Sequence, residues 1–200
     1  MARPRSFDEQ AVVGAAVLQF RKTGYAGTTM DDLSDATGLG RGSLYASFGD
    51  KHVLFIRALL EYVREALAGT ERALVGPDET AIDRLRGFLA SGARFVVDDK
   101  DQLGCMAGKF SHELGARDEE ARKVIHEVFT KQHQLLADCV QAAQRHGDLD
   151  PGADPLVVGC TILSINRGFD VMAKAGIDPA LLEAAADQAF HGLPLTFAHR

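Results

Sequence analysis

TTMDDLSDATGLGRGSLYASFGDK, the segment Thr28–Lys51, decides the fold of this chain. Thr29 can cap a short helix with an acidic first turn, where the helix dipole favours negative side chains. Gly38 ends that helix, and a second short helix is predicted over 41–47. Two short helices joined by a glycine-bearing turn, followed at once by a long helix, are typical of the helix-turn-helix motif. In that motif the second helix enters the major groove of DNA.

The second helix of this motif and the two ends of the segment carry the residues expected at DNA. A DNA-binding surface needs donors for phosphates and a thin helix that fits the groove. Arg41 can reach a guanine edge or a phosphate, and the neighbouring glycines keep the helix tip slim. Lys51 lies in the first turn of a helix, which is unfavourable for a cation unless an anion approaches it. The predicted DNA-binding residues are Thr28, Thr29, Gly40, Arg41, Gly42, Ser43, Tyr45 and Lys51.

Helical periodicity and helix-forming residues dominate the whole chain, so the predicted fold class is all-α. About nine helices are expected, at 8–22, between Thr29 and Gly38, and at 41–47, 50–74, 79–98, 104–115, 118–146, 154–175 and 179–191. Helix four should bury a seam made of Val53, Ile56, Leu60, Val63 and Leu67. We divide the chain into a helix-turn-helix head, 1–53, and an effector-binding and dimerisation domain, 54–200, with helix four (50–74) connecting them.

Charge is spread unevenly over the 200 residues, whose formal net charge is -6. Residues 1–53 hold six basic and six acidic side chains, whereas residues 54–200 hold 16 basic and 22 acidic ones. The acidic balance excludes a basic nucleic-acid coat protein. It favours DNA binding through a few placed groups over binding through long-range attraction.

Cysteine usage and hydropathy indicate where the chain works. Three widely spaced cysteines and an amino end without an apolar segment favour free thiols in a reducing compartment. We found no apolar run near the roughly 18 residues that a bilayer requires. A cytoplasmic location and no membrane partner are therefore expected.

The first quarter of the chain resembles the amino-terminal domain of the TetR family of bacterial transcriptional regulators. The resemblance covers about residues 7–60 and is dense. It is carried by Ala15, Ala16, Phe20, Gly24, Tyr25, Thr28, Thr29, Leu33, Ala36, Gly38, Gly42, Ser43, Leu44, Tyr45, Phe48 and Lys51.

The resemblance implies a homodimeric repressor that binds a palindromic double-stranded DNA operator and is released by a small-molecule effector. The last two long helices of each subunit would form the dimer interface. The helix at 154–175 agrees with that, because it is apolar nearly all round and must be buried on several sides. No cofactor, metal or catalytic site is implied, and the chain is not expected to be an enzyme.

Effector-binding residues are expected among aromatic and polar side chains on the later helices. Asn166 is the most suggestive, because it lies in an otherwise apolar helix and needs hydrogen-bond partners. The candidate residues are Phe95, Cys105, Met106, Phe110, Phe129, His133, Asn166 and Phe169.

Cys105 supports an alternative function. The segment from Gly104 to Leu114 resembles a TetR subgroup in which some members sense electrophiles or oxidants through a cysteine. A thiol in the first turn of a helix faces the positive end of the dipole, which favours the reactive thiolate. The alternative is a thiol-based sensor of the same architecture. A small buried apolar role for Cys105 also stays open.

Enzymatic motifs are missing from the sequence. His112 and His126 are each followed by Glu, but neither has a second His four residues on, so neither forms a zinc-protease helix. No Walker loop or nucleophile elbow occurs. A helical enzyme or interaction module that retains the head as a scaffold is therefore the weakest of the three hypotheses.

Overall fold

The computed structural model describes residues 7–99, 101 and 103–196. The helices found in that part of the chain are α1 (Glu9–Gly27), α2 (Met30–Thr37), α3 (Arg41–Phe48), α4 (Lys51–Leu74), α5 (Ala81–Asp98), α6 (Met106–Glu113), α7 (Glu119–His146), α8 (Pro155–Lys174) and α9 (Pro179–His191). A 3-10 turn at Asp78–Thr80 precedes α5, and one isolated bridge pairs Leu149 with Leu195. The predicted all-α fold is confirmed.

Both ends of α2 agree with the prediction. Thr29 caps α2, and Gly38 ends it in the left-handed conformation at φ 69°. The end of α1 differs from the prediction. Gly24 does leave helical geometry, at φ 81°, but the chain then makes a further turn that reaches Gly27.

The helices form two compact units. The first contains Met1–Glu65 and Cys105–Ile125, and the second contains Ala66–Gly104 and His126–Arg200. This grouping extends the head beyond the predicted limit at residue 53. The functional division at that residue stays a prediction.

The first unit is built on a small aromatic core. The Phe55 ring lies 5.2 Å from that of Phe20 and 4.8 Å from that of Phe110, both edge to face. Leu44 and Phe48 of α3 are both buried. Phe110 belongs to α6, so this helix is part of the core of the first unit.

The second unit has its own core, which joins α5, α7, α8 and α9. Leu85, Leu136 and Ile162 are fully buried at its centre. A smaller cluster contains Ala93, Phe169, Leu182 and Ala186. Both clusters leave one side of α8 uncovered, where Val157 and Val171 are exposed.

Helix α8 corrects one expectation. By length and composition it could cross a membrane, although the sequence analysis found no such segment. A third of its most apolar window is buried within the protein. The core helix of a soluble protein can have the same length and apolar composition.

Candidate nucleic-acid interface

Local hydrogen bonds fix the start of α2. The Thr29 hydroxyl accepts the Asp32 N–H, and the Asp32 carboxylate accepts the Thr29 N–H at 2.7 Å. These reciprocal bonds form a capping box. The bonds from the Thr29 hydroxyl and N–H also lower the pKa of Asp32, which keeps its carboxylate ionised. The position of α2 is thus set by its own first turn.

Helix α3 has one buried and one exposed face. Leu44 and Phe48 anchor it in the core, while Arg41, Ser43 and Tyr45 are exposed. The exposed set includes three of the predicted DNA contacts. Two hydroxyls and a guanidinium on one short helix can donate to phosphate oxygens or to base edges.

Gly40 and Gly42 are not required by packing within the protein. A Cβ added at either residue would meet no atom within 4 Å. Gly42 lies inside α3, where glycine costs about 0.5–1 kcal/mol relative to alanine. Gly40 is the N-cap of α3, a position that glycine suits. The open space around both glycines leaves room for a partner to approach the helix tip closely.

Arg41 pairs with Asp31 of α2 through its Nε and one of its two terminal nitrogens. The two side chains are 56% and 62% exposed. Exposed pairs of this kind are weak and screened by salt. The guanidinium can therefore exchange Asp31 for a phosphate.

Thr28 corrects the prediction. The residue is 1% exposed, and its hydroxyl donates to the Gly24 carbonyl at 2.6 Å while sharing a second bond with Thr23. The hydroxyl is used inside the head and cannot hold a phosphate in this structure. Thr29, by contrast, is exposed.

Lys51 also acts within the head. Its ammonium group donates to the carbonyls of Tyr25 at 3.0 Å and Thr28 at 2.9 Å. It also lies 4.3 Å from the centre of the Tyr25 ring, in a cation–π contact. A cation in the first turn of a helix was expected to need an external anion. In the structure, two backbone carbonyls of the head stabilise Lys51 instead.

Glu113, at the end of α6, holds the last turn of α1. Its carboxylate accepts the N–H of Ala26 at 2.7 Å and that of Tyr25 at 3.2 Å. A Cβ at Gly24 would lie 2.9 Å from this carboxylate, and the φ of 81° also favours glycine there. Lys109, one turn earlier, donates to the Arg21 carbonyl at 2.6 Å.

A side-chain hydrogen bond joins the starts of α4 and α7. His52 and Asp118 approach to 2.7 Å. Burial raises the pKa of Asp118, but the Ala121 N–H and the His52 ring together outweigh it, and the net pKa is lowered. Sequence reasoning missed both Glu113 and Asp118. Only the resemblance of the Gly104–Leu114 segment drew attention to this region.

The effector candidates do not form one site. Cys105, Met106 and Phe110 are buried in the first unit. In the second unit, Phe129 and His133 line a shallow groove of about 360 Å³ that also includes Cys160.

The remaining candidates lie elsewhere in the second unit. Phe169 belongs to the small core cluster, and Phe95 is half exposed. Asn166 is buried, but its amide donates to the Phe88 carbonyl at 3.1 Å and its oxygen accepts from Arg167. Asn166 was a candidate because a buried amide needs hydrogen-bond partners. Phe88 and Arg167 provide those partners within the protein.

The geometry of α2 and α3 defines a helix-turn-helix DNA-binding protein. Residues 12–58 match the profile of the bacterial regulatory proteins of the tetR family, and residues 81–189 match that of the tetracycline repressor-like C-terminal domain. The chain belongs to the TetR family. It is therefore a transcription regulator and not an enzyme, with duplex DNA and a second copy of itself as partners.

Individual relatives agree with this assignment. The chain is 31% identical to the HTH-type transcriptional repressor BdcR of Escherichia coli K12 over 150 residues, which cover 69% of this chain and 74% of BdcR. It is 25% identical over 174 residues to the repressor ComR of the same strain, covering 87% and 83% of the two chains. A cysteine variant of the regulator CifR, solved with a 26-base-pair operator duplex, shares the fold with a TM-score of 0.82 at 24% identity, covering 96% of this chain and all of CifR.

Proposed function

We propose that this protein is a homodimeric repressor that binds a palindromic operator and leaves it when a small molecule binds the second unit. The observation that carries the proposal is the exposed face of α3, with Arg41, Ser43 and Tyr45 beside two glycines that no internal contact requires. A slim, donor-bearing helix is what the major groove admits. Residues 1–53 would read DNA, and residues 54–200 would carry dimerisation and effector binding.

Repression is supported by the relatives, since BdcR and ComR are both named as transcriptional repressors. CifR was solved on double-stranded operator DNA. By this analogy the chain would act at an operator in the cytoplasm, where chromosomal DNA lies.

The uncovered side of α8 supports a homodimer. Residues at helical spacing present one continuous face without a charged side chain, and most of them are exposed. They are Val157, Cys160, Thr161, Ser164, Gly168, Val171 and Met172. We call this face the α8 stripe.

Helix α9 adds Leu181, which is 61% exposed, followed by Ala184 and Ala185. Small residues between larger apolar ones let two helices approach closely. A second copy, related by two-fold symmetry, would cover both helices and bring two α3 helices to consecutive half-sites.

Effector release follows from linkage between binding sites. A ligand that binds better to a dimer unable to span both half-sites must weaken operator binding by the same factor. Lys109 and Glu113 place α6 in direct contact with α1, so a shift of α6 would disturb the turn that leads into α2. We propose α6 as the link between effector and reading head.

The proposed reading surface can be tested by fluorescence anisotropy on DNA that flanks the gene. Arg41→Ala and Tyr45→Phe should weaken binding. Loss of one phosphate contact per head lowers the salt slope by about 0.9, or about 1.8 for the dimer. Arg122→Ala is the matched control, because Arg122 is an equally exposed arginine on α7. Unchanged affinity in both α3 variants, or an equal loss in the control, would reject this surface.

Gly42→Leu separates DNA binding from stability. Leucine is a better helix former than glycine, and the position has open space around it, so the melting temperature should rise. Operator affinity should fall, because the added side chain widens the helix tip. A variant that binds DNA as well as the parent would show that the glycine is not there for the groove.

The thiol-sensor alternative is favoured by one observation. Cys105 caps α6, and its sulfur accepts the Gly108 N–H at 3.4 Å. The thiol is buried, however, which limits access of an electrophile.

Mass spectrometry after brief treatment with N-ethylmaleimide distinguishes the two functions. Cys139 is the internal control, because it is also buried and burial raises the pKa of its thiol. A sensor requires Cys105 to react much faster than Cys139 and operator binding to fall with modification. Equal, slow labelling of both would leave reversible ligand binding as the mode of control. Cys105→Ser should keep operator binding under either function.

A further inference from the structure

A cavity of about 280 Å³ opens at one end of the second unit, beside the end of α5, the end of α8 and the start of α9. None of the effector candidates predicted from the sequence lines it. Its apolar wall is formed by Val96, Ile177 and Leu182, and its charged lining by Asp99, Asp170 and Lys174.

The apolar wall is part of a packed core. Leu182 is 4% exposed and belongs to the cluster around Phe169. Val96 and Ile177 pack against the same cluster. The wall is therefore supported from behind and gives a bound apolar group a fixed surface.

Among the lining residues that the structure describes, the charged groups are two carboxylates and one ammonium group. The Asp170 side chain is 13% exposed and accepts from Lys174 at 3.2 Å. Asp99 accepts the Gly104 N–H at 2.5 Å. Gly104 passes so close that a Cβ there would overlap both Lys174 and Asp170, so the loop and α8 together enclose this side of the cavity.

Helix dipoles reinforce the negative charge. Helices α5 and α8 both end here, and the carboxyl end of a helix carries partial negative charge. Helix α9 begins here with the opposite polarity, but the Asp178 carboxylate caps its first turn by accepting the Ala180 N–H. The lining therefore favours a cation over an anion.

We propose that this cavity binds a small organic ammonium ion with a compact apolar body. The ammonium group would lie between Asp99 and Asp170, and the body would contact Val96, Ile177 and Leu182. At roughly 30 Å³ per water-sized unit, the volume suits about nine non-hydrogen atoms. Its use as the effector site rests on the proposed function, whereas the binding itself does not.

Three probes of similar size, one cationic, one uncharged and one anionic, test whether the cavity selects a cation. The full chain is used without DNA. The probes are 2-phenylethylamine, 2-phenylethanol and phenylacetate, measured by isothermal titration calorimetry. The amine should bind at least tenfold tighter than the alcohol, a difference of about 1.4 kcal/mol, and phenylacetate should not bind. Equal affinity for amine and alcohol would overturn the proposal.

Two substitutions should shift amine affinity in opposite directions. Asp170→Asn should lower it about tenfold, with alcohol binding unchanged. Lys174→Gln should raise it several-fold, because the competing ammonium group is removed. Lys131→Gln, on exposed α7 surface, makes the same charge change elsewhere and should have no effect. If Asp170→Asn does not fold, the amine affinities of Lys174→Gln and Lys131→Gln are compared instead. Equal amine affinities in these two variants would reject the site.

The regulatory role is read out separately. Amine binding that weakens operator binding assigns the cavity as the effector site. Amine binding without any change in operator affinity keeps the ammonium site but rejects its role in release. Failure of the unliganded protein to bind DNA at all would reject the proposed function while leaving the ammonium site intact.

Discussion

Replacing Val157 by serine tests whether the α8 stripe joins two copies of the chain. Val157 is 62% exposed in the single chain. Full burial of a valine side chain is worth about 1.5 kcal/mol at the lower end of the range, so covering this exposed part contributes about 0.9 kcal/mol. Two-fold symmetry uses the residue twice, which gives about 1.9 kcal/mol for the dimer. The dimer dissociation constant should therefore rise about 20-fold or more.

Val75→Ser is the matched control. Val75 is 67% exposed, but it follows α4 directly and is not part of the stripe. Sedimentation equilibrium over a dilution series gives the dissociation constant of each variant. Operator binding by Val157→Ser should also weaken, since a single head cannot span two half-sites. Identical dissociation constants for the two variants would refute the reasoning and leave the stripe to another occupant, including a lipid surface.

Three further outcomes follow from contacts in the first unit. Asp31→Asn should raise operator affinity several-fold, because Arg41 is released and a negative charge beside the phosphates is lost; an anisotropy titration that shows weaker binding contradicts this. Glu113→Gln should lower the free energy of unfolding by about 1–2 kcal/mol in urea titrations and also weaken operator binding, because one charge-assisted acceptor is replaced by a donor; full operator affinity would show that the last turn of α1 does not need the carboxylate. Asp118 has a lowered pKa, so its stabilisation is complete above the unfolded value of about 4 and is lost as pH falls through the folded value. Unfolding measured between about pH 2 and 6 should therefore depend less on pH in Asp118→Asn, and parallel curves for the two proteins would contradict that assignment.

The DNA-reading helices could be predicted because their signals are local. Thr29 and Asp32 form their capping box within four residues, and Gly38 supplies the left-handed stop. Leu44 and Phe48 are spaced by one turn and both are buried. No distant partner is needed to place these ends, so the sequence alone suffices.

Burial on α4 could not be predicted in the same way. The predicted seam included Val53 and Leu60, which are 43% and 49% exposed, whereas Leu54 and Phe55 are fully buried. Two adjacent apolar stripes run along this helix, and its own periodicity does not choose between them. The choice is made by neighbours such as Phe110, which lie far away in the sequence.

The candidate site shows the same limit. The residue types needed at DNA were identified, but the internal use of Thr28 and Lys51 depends on the turn at Tyr25. The sequence also gave no sign that Phe129 and Phe169 lie in different places within the second unit. Aromatic residues at helical spacing indicate a core and do not locate a cavity.

The carboxylate of Glu113 limits how freely this protein can be rebuilt from parts. It meets the backbone of Tyr25 from 88 residues further along the chain. The family profile of the head ends at residue 58. A chimera that transfers only the residues up to this point to another regulator would not include Glu113. The transferred head would keep α3 but lose the hydrogen bonds from Glu113 to the last turn of α1. Grafts that also carry Cys105–Ile125 should tolerate exchange better than those cut at the apparent module boundary.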